Sequence, residues 1–198
     1  MTGTETPDHD PMDAERARLF ALLGRLMGGP PDAALLARLK LLRGGAGELG
    51  EAYGALGAAA AATTPEAADR EYFKLFIGVG RGELLPYASY YLTGFLHERP
   101  LADLRGDLAR LGIERAEGVA EPEDHIAFLC ETHAGLIAGA FAPDPAEAAP
   151  FFTRHIAPWA ARLFADLEAA EGAGFYRAVG RLGRTAMEIE ATAAELPA

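Results

Sequence analysis

A chain of 198 residues, half of them hydrophobic, can bury a substantial core and is too apolar to default to disorder. A net charge of −11 argues against nucleic-acid binding, which needs clustered Lys and Arg, and suits either plain solubility or a basic partner. Cys130 is the only cysteine, so no intrachain disulfide forms and a reducing compartment is favoured, and no run of about 18 apolar residues offers a membrane span.

Residues 1–13 read as an acidic, disordered tail without the basic start and apolar stretch of a secretory signal. The first helix is expected from about Asp13 to Met27, with Leu19, Leu22, Leu23 and Leu26 on one stripe, ending at Gly28-Gly29-Pro30-Pro31. Asp32 is placed to cap a second helix carrying Leu35, Leu36, Leu39 and Leu42. A third, from about Glu48 to Ala61, contains Gly50, Gly54 and Gly57, each costing roughly 1 kcal/mol relative to Ala.

Thr63 with Glu66 fits a capping box, and Pro65 suits a first helical turn. The helix so opened presents Ala68, Tyr72, Leu75 and Phe76 on one face, either as core or as the wall of a groove. Gly78-Val79-Gly80-Arg81-Gly82 follows a helix rather than a strand, so a connecting turn accounts for it better than a nucleotide loop. The stretch Leu84–Leu96 is rich in aromatics, whose apolar faces and polar tips serve loop packing and recognition equally.

Pro100 opens a helix with Leu101, Leu104, Leu108 and Leu111, closed by Gly112. Between Glu114 and Glu131 there are six carboxylates and one base, Arg115. Pro122 suits the first turn of the next helix, with Ile126, Leu129, Cys130, His133 and Ile137 on its apolar face. Asp124 and His125 stand where an acidic loop becomes a buried helix, a position for either a cap or a site.

Pro143-Asp144-Pro145 marks an internal boundary. Beyond it come a stripe of Phe152, Ile156, Trp159, Leu163 and Leu167, and a last helix with Phe175, Val179, Leu182, Ala186 and Ile189. The fold class is all-α, a compact bundle of about eight or nine helices. Its expected division is a tail at 1–13, an N-terminal helical part at 14–141, a hinge at 142–146 and a C-terminal helical part at 147–198.

Metal binding and catalysis find little support. His125, Cys130 and His133 lack the paired spacing of zinc ligands, and nothing marks an oxyanion hole beside Cys130 and His133. No metal, no cofactor and no enzymatic activity are therefore expected.

Glu121-Pro122-Glu123-Asp124-His125 resembles the E-P-x-D-H motif of the TorD/DmsD family, and Tyr72-Phe73-Lys74-Leu75-Phe76 resembles its aromatic-x-x-Leu-Phe motif. The segment Gly78–Leu96 and the run Phe151–Trp159 are also similar to that family, so the resemblance covers roughly residues 15–190. One departure is Tyr72, where the family often carries tryptophan.

The resemblance implies a cytoplasmic, TorD-like chaperone. Its partners would be the twin-arginine signal peptide and the body of a molybdoenzyme precursor, an oxide reductase or formate dehydrogenase, held back from export until cofactor insertion. On that reading Tyr72, Leu75, Phe76, Pro86, Tyr87 and Tyr91 take the apolar part of the leader, helix in groove. Glu121, Glu123 and Asp124 face its arginines, and His125 orients that edge or adds a hydrogen bond. The family also allows a homodimer and weak guanine-nucleotide binding, which no residue here demands. The competing reading is a helical protein-interaction adaptor that binds no signal peptide.

Overall fold

Ten α-helices make up the fold among the residues that the computed structural model describes, 10–115, 118, 120–141 and 145–194. The first, α1 (Pro11–Met27), begins inside the expected tail, because the Asp10 side chain accepts the Met12 N–H and Pro11 fills the first turn. Asp32 caps α2 (Ala33–Leu39) through the Leu35 N–H at 2.7 Å.

The glycines of α3 (Gly47–Ala62) weaken the helix but are required by its packing. A Cβ on Gly50 would lie 2.5 Å from the Gly45 backbone, one on Gly54 2.9 Å from Gly44, and one on Gly57 2.6 Å from the Leu42 carbonyl. The backbone of residues 42–45 therefore lies directly on this face.

Thr64, not Thr63, caps α4 (Pro65–Tyr72), accepting the Ala67 N–H at 3.2 Å. With Thr64 as the cap, Glu66 sits two residues in rather than three, so the predicted capping box does not form. Helix α4 runs straight into a π-helical turn, Phe73–Ile77, so the aromatic-x-x-Leu-Phe motif straddles a widened coil. Short α5 (Ala88–Thr93) precedes α6 (Arg99–Leu111), whose end at a left-handed Gly112 matches the expectation.

Helix α7 spans Ile126–Ile137, four residues later than Pro122 suggests. Residues 121–124 form a turn instead, because Asp124 is drawn away to another segment. The single stripe expected from Phe152 to Leu167 is broken into α8 (Ala148–His155) and α9 (Ala160–Ala169). Pro158, which lacks an N–H and crowds the preceding turn, sits at the break.

The last helix, α10 (Phe175–Ala194), lies against α9 and α3, while α1 packs chiefly along α7. One apolar cluster draws on residues from both sides of the expected hinge, among them Phe20, Leu129, Trp159 and Tyr176. Residues 142–144 of that hinge lie outside the described residues.

Helix α10 corrects one expectation. Ile189 is 45% exposed, whereas Glu190 is buried. The Glu190 carboxylate accepts from Arg16 Nε at 3.1 Å and from Arg16 Nη2, and lies 3.0 Å from His133 Nε2. Burial opposes its ionisation, but the bonds to His133 and Arg16 outweigh that and hold its carboxyl at about 2. A charged group was thus taken inside with its partners, tying α1, α7 and α10 together.

Candidate functional site

The two sequence motifs meet through the backbone. Tyr87 and His125 form an isolated antiparallel bridge, flanked by Ala88 N–H donating to the Asp124 carbonyl at 3.0 Å and Ile126 N–H donating to the Pro86 carbonyl at 2.9 Å. The Asp124 side chain, 1% exposed, accepts the Ser89 N–H at 2.9 Å. Asp124 therefore acts as a pin that caps the start of α5 from a distant segment, with its carboxylate turned into the protein.

His125 is the N-cap of α7. Its Nδ1 accepts the Ala127 N–H at 3.1 Å, which places the ring proton on Nε2. Burial, the largest influence, pushes the His125 pKa below its ordinary value even though Glu121 and Asp124 pull the other way. At neutral pH the ring is a neutral donor, and its edge lines the groove described next.

Beside this bridge lies a groove of about 680 Å³. Its walls include Tyr72 at the end of α4, Phe76 and Ile77 from the π-helical turn, Pro86 and Tyr87, Glu121 and His125, and Phe128, Glu131 and Thr132 of α7. Six of the ten expected site residues, namely Tyr72, Phe76, Pro86, Tyr87, Glu121 and His125, come together here. Tyr72 is fixed by its hydroxyl donating to the Met27 carbonyl at 3.2 Å and by its ring against Phe76 and Tyr176. The Tyr87 hydroxyl donates to Glu121 Oε2 at 2.5 Å, and burial followed by this bond pushes the phenol well above its ordinary value. It remains a donor at any ordinary pH.

The other four residues do not line this groove. Leu75 is fully buried in the core, one position round the coil from the groove. Tyr91 lines a separate hollow of about 410 Å³, where its hydroxyl donates to Asp166 at 2.9 Å and Arg162 bonds its carbonyl. Glu123 accepts two bonds from Arg105, at 3.0 and 2.8 Å. Burial works against its ionisation, but Arg105 prevails and holds the carboxyl below its usual range. Asp124 is the buried pin.

Several wall residues were not foreseen. Glu114 and Glu131 add carboxylates to the rim, and Ile113, Phe128 and Phe141 add apolar surface. The signal for the α7 members was present: His125, Phe128 and Thr132 repeat at spacings of 3 and 4, a second stripe beside the core stripe. The groove is thus apolar in its walls and acidic at its rim.

Cys130 and His133, weighed in the sequence for metal binding and catalysis, both lie in the core. Cys130 is fully buried and burial pushes its thiol well above the ordinary value, the reverse of an activated nucleophile. His133 is enclosed between the rings of Phe20 and Phe152. Among the described residues no group of three His, Cys, Asp or Glu side chains could hold a metal ion. No helix among them is long and apolar enough to cross a membrane.

A family model for the nitrate reductase delta subunit matches residues 44–165, more than half of the chain. The chaperone protein TorD of Aliivibrio salmonicida (strain LFI1238) is 28% identical over 130 residues, covering 61% of this chain and 60% of that protein. TorD of Aliivibrio fischeri (strain ATCC 700601 / ES114) is 35% identical over 69 residues, covering 34% and 32%. The chain thus spans less than two thirds of the length of these curated relatives.

A crystal structure of an Archaeoglobus fulgidus protein, proposed to act in redox enzyme maturation, superposes with a TM-score of 0.61. That match covers 95% of this chain and 99% of the other at 20% identity, a likeness of fold. The matched family segment holds both motifs and the bridge that joins them, and on that ground the chain belongs to the TorD/DmsD family, the group that the nitrate reductase delta subunit model describes.

Proposed function

We propose that this protein is a cytoplasmic maturation chaperone whose groove binds the twin-arginine leader of a molybdoenzyme precursor, keeping it from export while its cofactor is inserted. One observation carries the reading: residues from both family motifs line the same groove, apolar in its walls and acidic at its rim. Such a leader has a basic start and an apolar middle, the complementary pattern.

Size sets how much of the leader fits. An α-helix about 10 Å across occupies roughly 420 Å³ per 5.4 Å turn. The groove therefore takes about a turn and a half, or the anchoring side chains of a longer helix. Tyr72, Phe76, Tyr87 and Phe128 would hold that apolar part, and Glu121, Glu114 and Glu131 would meet the arginines. The His125 Nε2–H would donate to a carbonyl of the bound peptide.

The test is isothermal titration with synthetic twin-arginine leaders from the same genome, each paired with a version whose arginines are alanines. Micromolar or tighter binding to a native leader, weakened without the arginines, supports the reading and names the client. Absence of binding to every leader by the folded protein would sink it and favour the adaptor.

A further inference from the structure

Among the described residues that line the groove, Arg115 is the only Lys or Arg, and it is not idle. Its Nη1 donates to the Glu121 carbonyl at 2.9 Å, and its Nε lies 3.9 Å from Glu123 Oε1. The side chain stays about one third exposed, at 35%. Ile113, Glu114 and Arg115 also border a second hollow of about 340 Å³, which Arg105, Leu108 and Glu123 line as well. This short stretch is a ridge that borders both depressions, and its guanidinium joins the Glu121 end of the first to Glu123 of the second.

A separate observation marks that end as a place for a ligand. His125 is only 6% exposed, and its Nδ1 is taken by the Ala127 N–H, so Nε2 must carry the proton. No hydrogen bond within the described residues occupies that donor, and the ring lines the same groove. A carbonyl on one side and a carboxylate on the other offer a planar guanidinium fork its preferred partners.

We infer that the Glu121 carbonyl and the Glu123 carboxylate form a guanidinium subsite of which Arg115 is the resident occupant, displaced by an arginine of the incoming peptide. The inference rests on the leader-binding reading above. The incoming arginine gains contacts that Arg115 gives up, so in the wild-type protein the exchange adds less affinity than the full contact would. Removing Arg115 hands the whole contact to the ligand.

The probe is the leader that binds best in the titrations above, with its double-alanine version. Arg115→Ala is expected to tighten the native leader by about 5- to 10-fold, a partly exposed charge-assisted contact. The penalty for replacing the leader's arginines should grow by the same factor. Arg18→Ala, which removes an exposed cation of α1 that lines neither depression, is the control for net charge and should change binding less than about 2-fold.

Equal or weaker leader binding by a folded Arg115→Ala overturns the subsite while leaving the chaperone reading intact. Equal tightening by Arg18→Ala also overturns it, since charge alone would then explain the gain. If alanine unfolds the ridge, Arg115→Met, similar in length and uncharged, carries the same expectation. Failure of every leader to bind the wild-type protein and both Arg115 variants sinks the subsite together with the leader reading.

Discussion

Replacing Asp124 by alanine separates two roles that the sequence alone leaves equal. In the structure its carboxylate is 1% exposed and accepts the N–H of Ser89, itself fully buried. A hydrogen bond to a charged group contributes about 1.5–3 kcal/mol, and its loss here leaves a buried donor unsatisfied. Asp124→Ala is therefore expected to destabilise the fold by about 2 kcal/mol. At about 2–4 °C per kcal/mol for a domain of this size, the melting temperature should fall by roughly 4–8 °C.

Asp124→Asn keeps an acceptor oxygen and should cost about half as much. Urea denaturation gives the free energy, calorimetry the melting temperature, and leader titration below the transition gives binding by the folded fraction. An alanine variant of unchanged stability that loses leader binding would refute the pin and restore Asp124 as an arginine receptor.

Two further expectations concern stability. Burial depresses the pKa values of His125, His133 and His155 below the ordinary 6.5, so the unfolded chain takes up protons that the folded chain refuses. Their contribution is complete above 6.5 and is lost as pH falls below it, by up to about 1.4 kcal/mol per pH unit for each histidine still neutral in the fold. Glu190, held at about 2 against an ordinary 4.5, adds a second loss as pH falls from 4.5 towards 2. A urea midpoint that stays flat from about pH 7.5 to 5 would contradict the histidine part. Gly54→Ala should destabilise by about 1 kcal/mol or more despite the better helix propensity of alanine, since the new Cβ would meet Gly44 Cα at 2.9 Å. Denaturant melts check this, and a more stable variant would show that residues 42–45 can yield.

What was legible in the chain was mostly local. The Asp32 cap, the Pro100 opening and the Gly112 stop follow from the chemistry of the residues at each helix end, and both motifs stand where the groove forms. The misplaced features depend on contacts far along the chain. Asp124 reads as a helix cap, and caps, but the N–H it takes belongs to Ser89, 35 residues earlier. Glu190 breaks an apolar stripe for reasons that lie in Arg16 and His133. Leu75 and Phe76 are neighbours in one motif, and only the π-helical turn decides which faces the core and which the groove. Periodicity identifies apolar stripes and cannot say what each will face.

The Tyr176 ring underlies Tyr72 and Phe76, at 5.7 and 5.5 Å between centroids, and its hydroxyl reaches back to the Leu26 carbonyl at 3.2 Å. One wall of the groove is thus buttressed by a residue of the final helix. During synthesis the two motifs leave the ribosome well before that buttress does, so a nascent chain lacking α10 carries both motifs without the wall that Tyr176 supports. That wall of the groove is therefore complete only once α10 has docked.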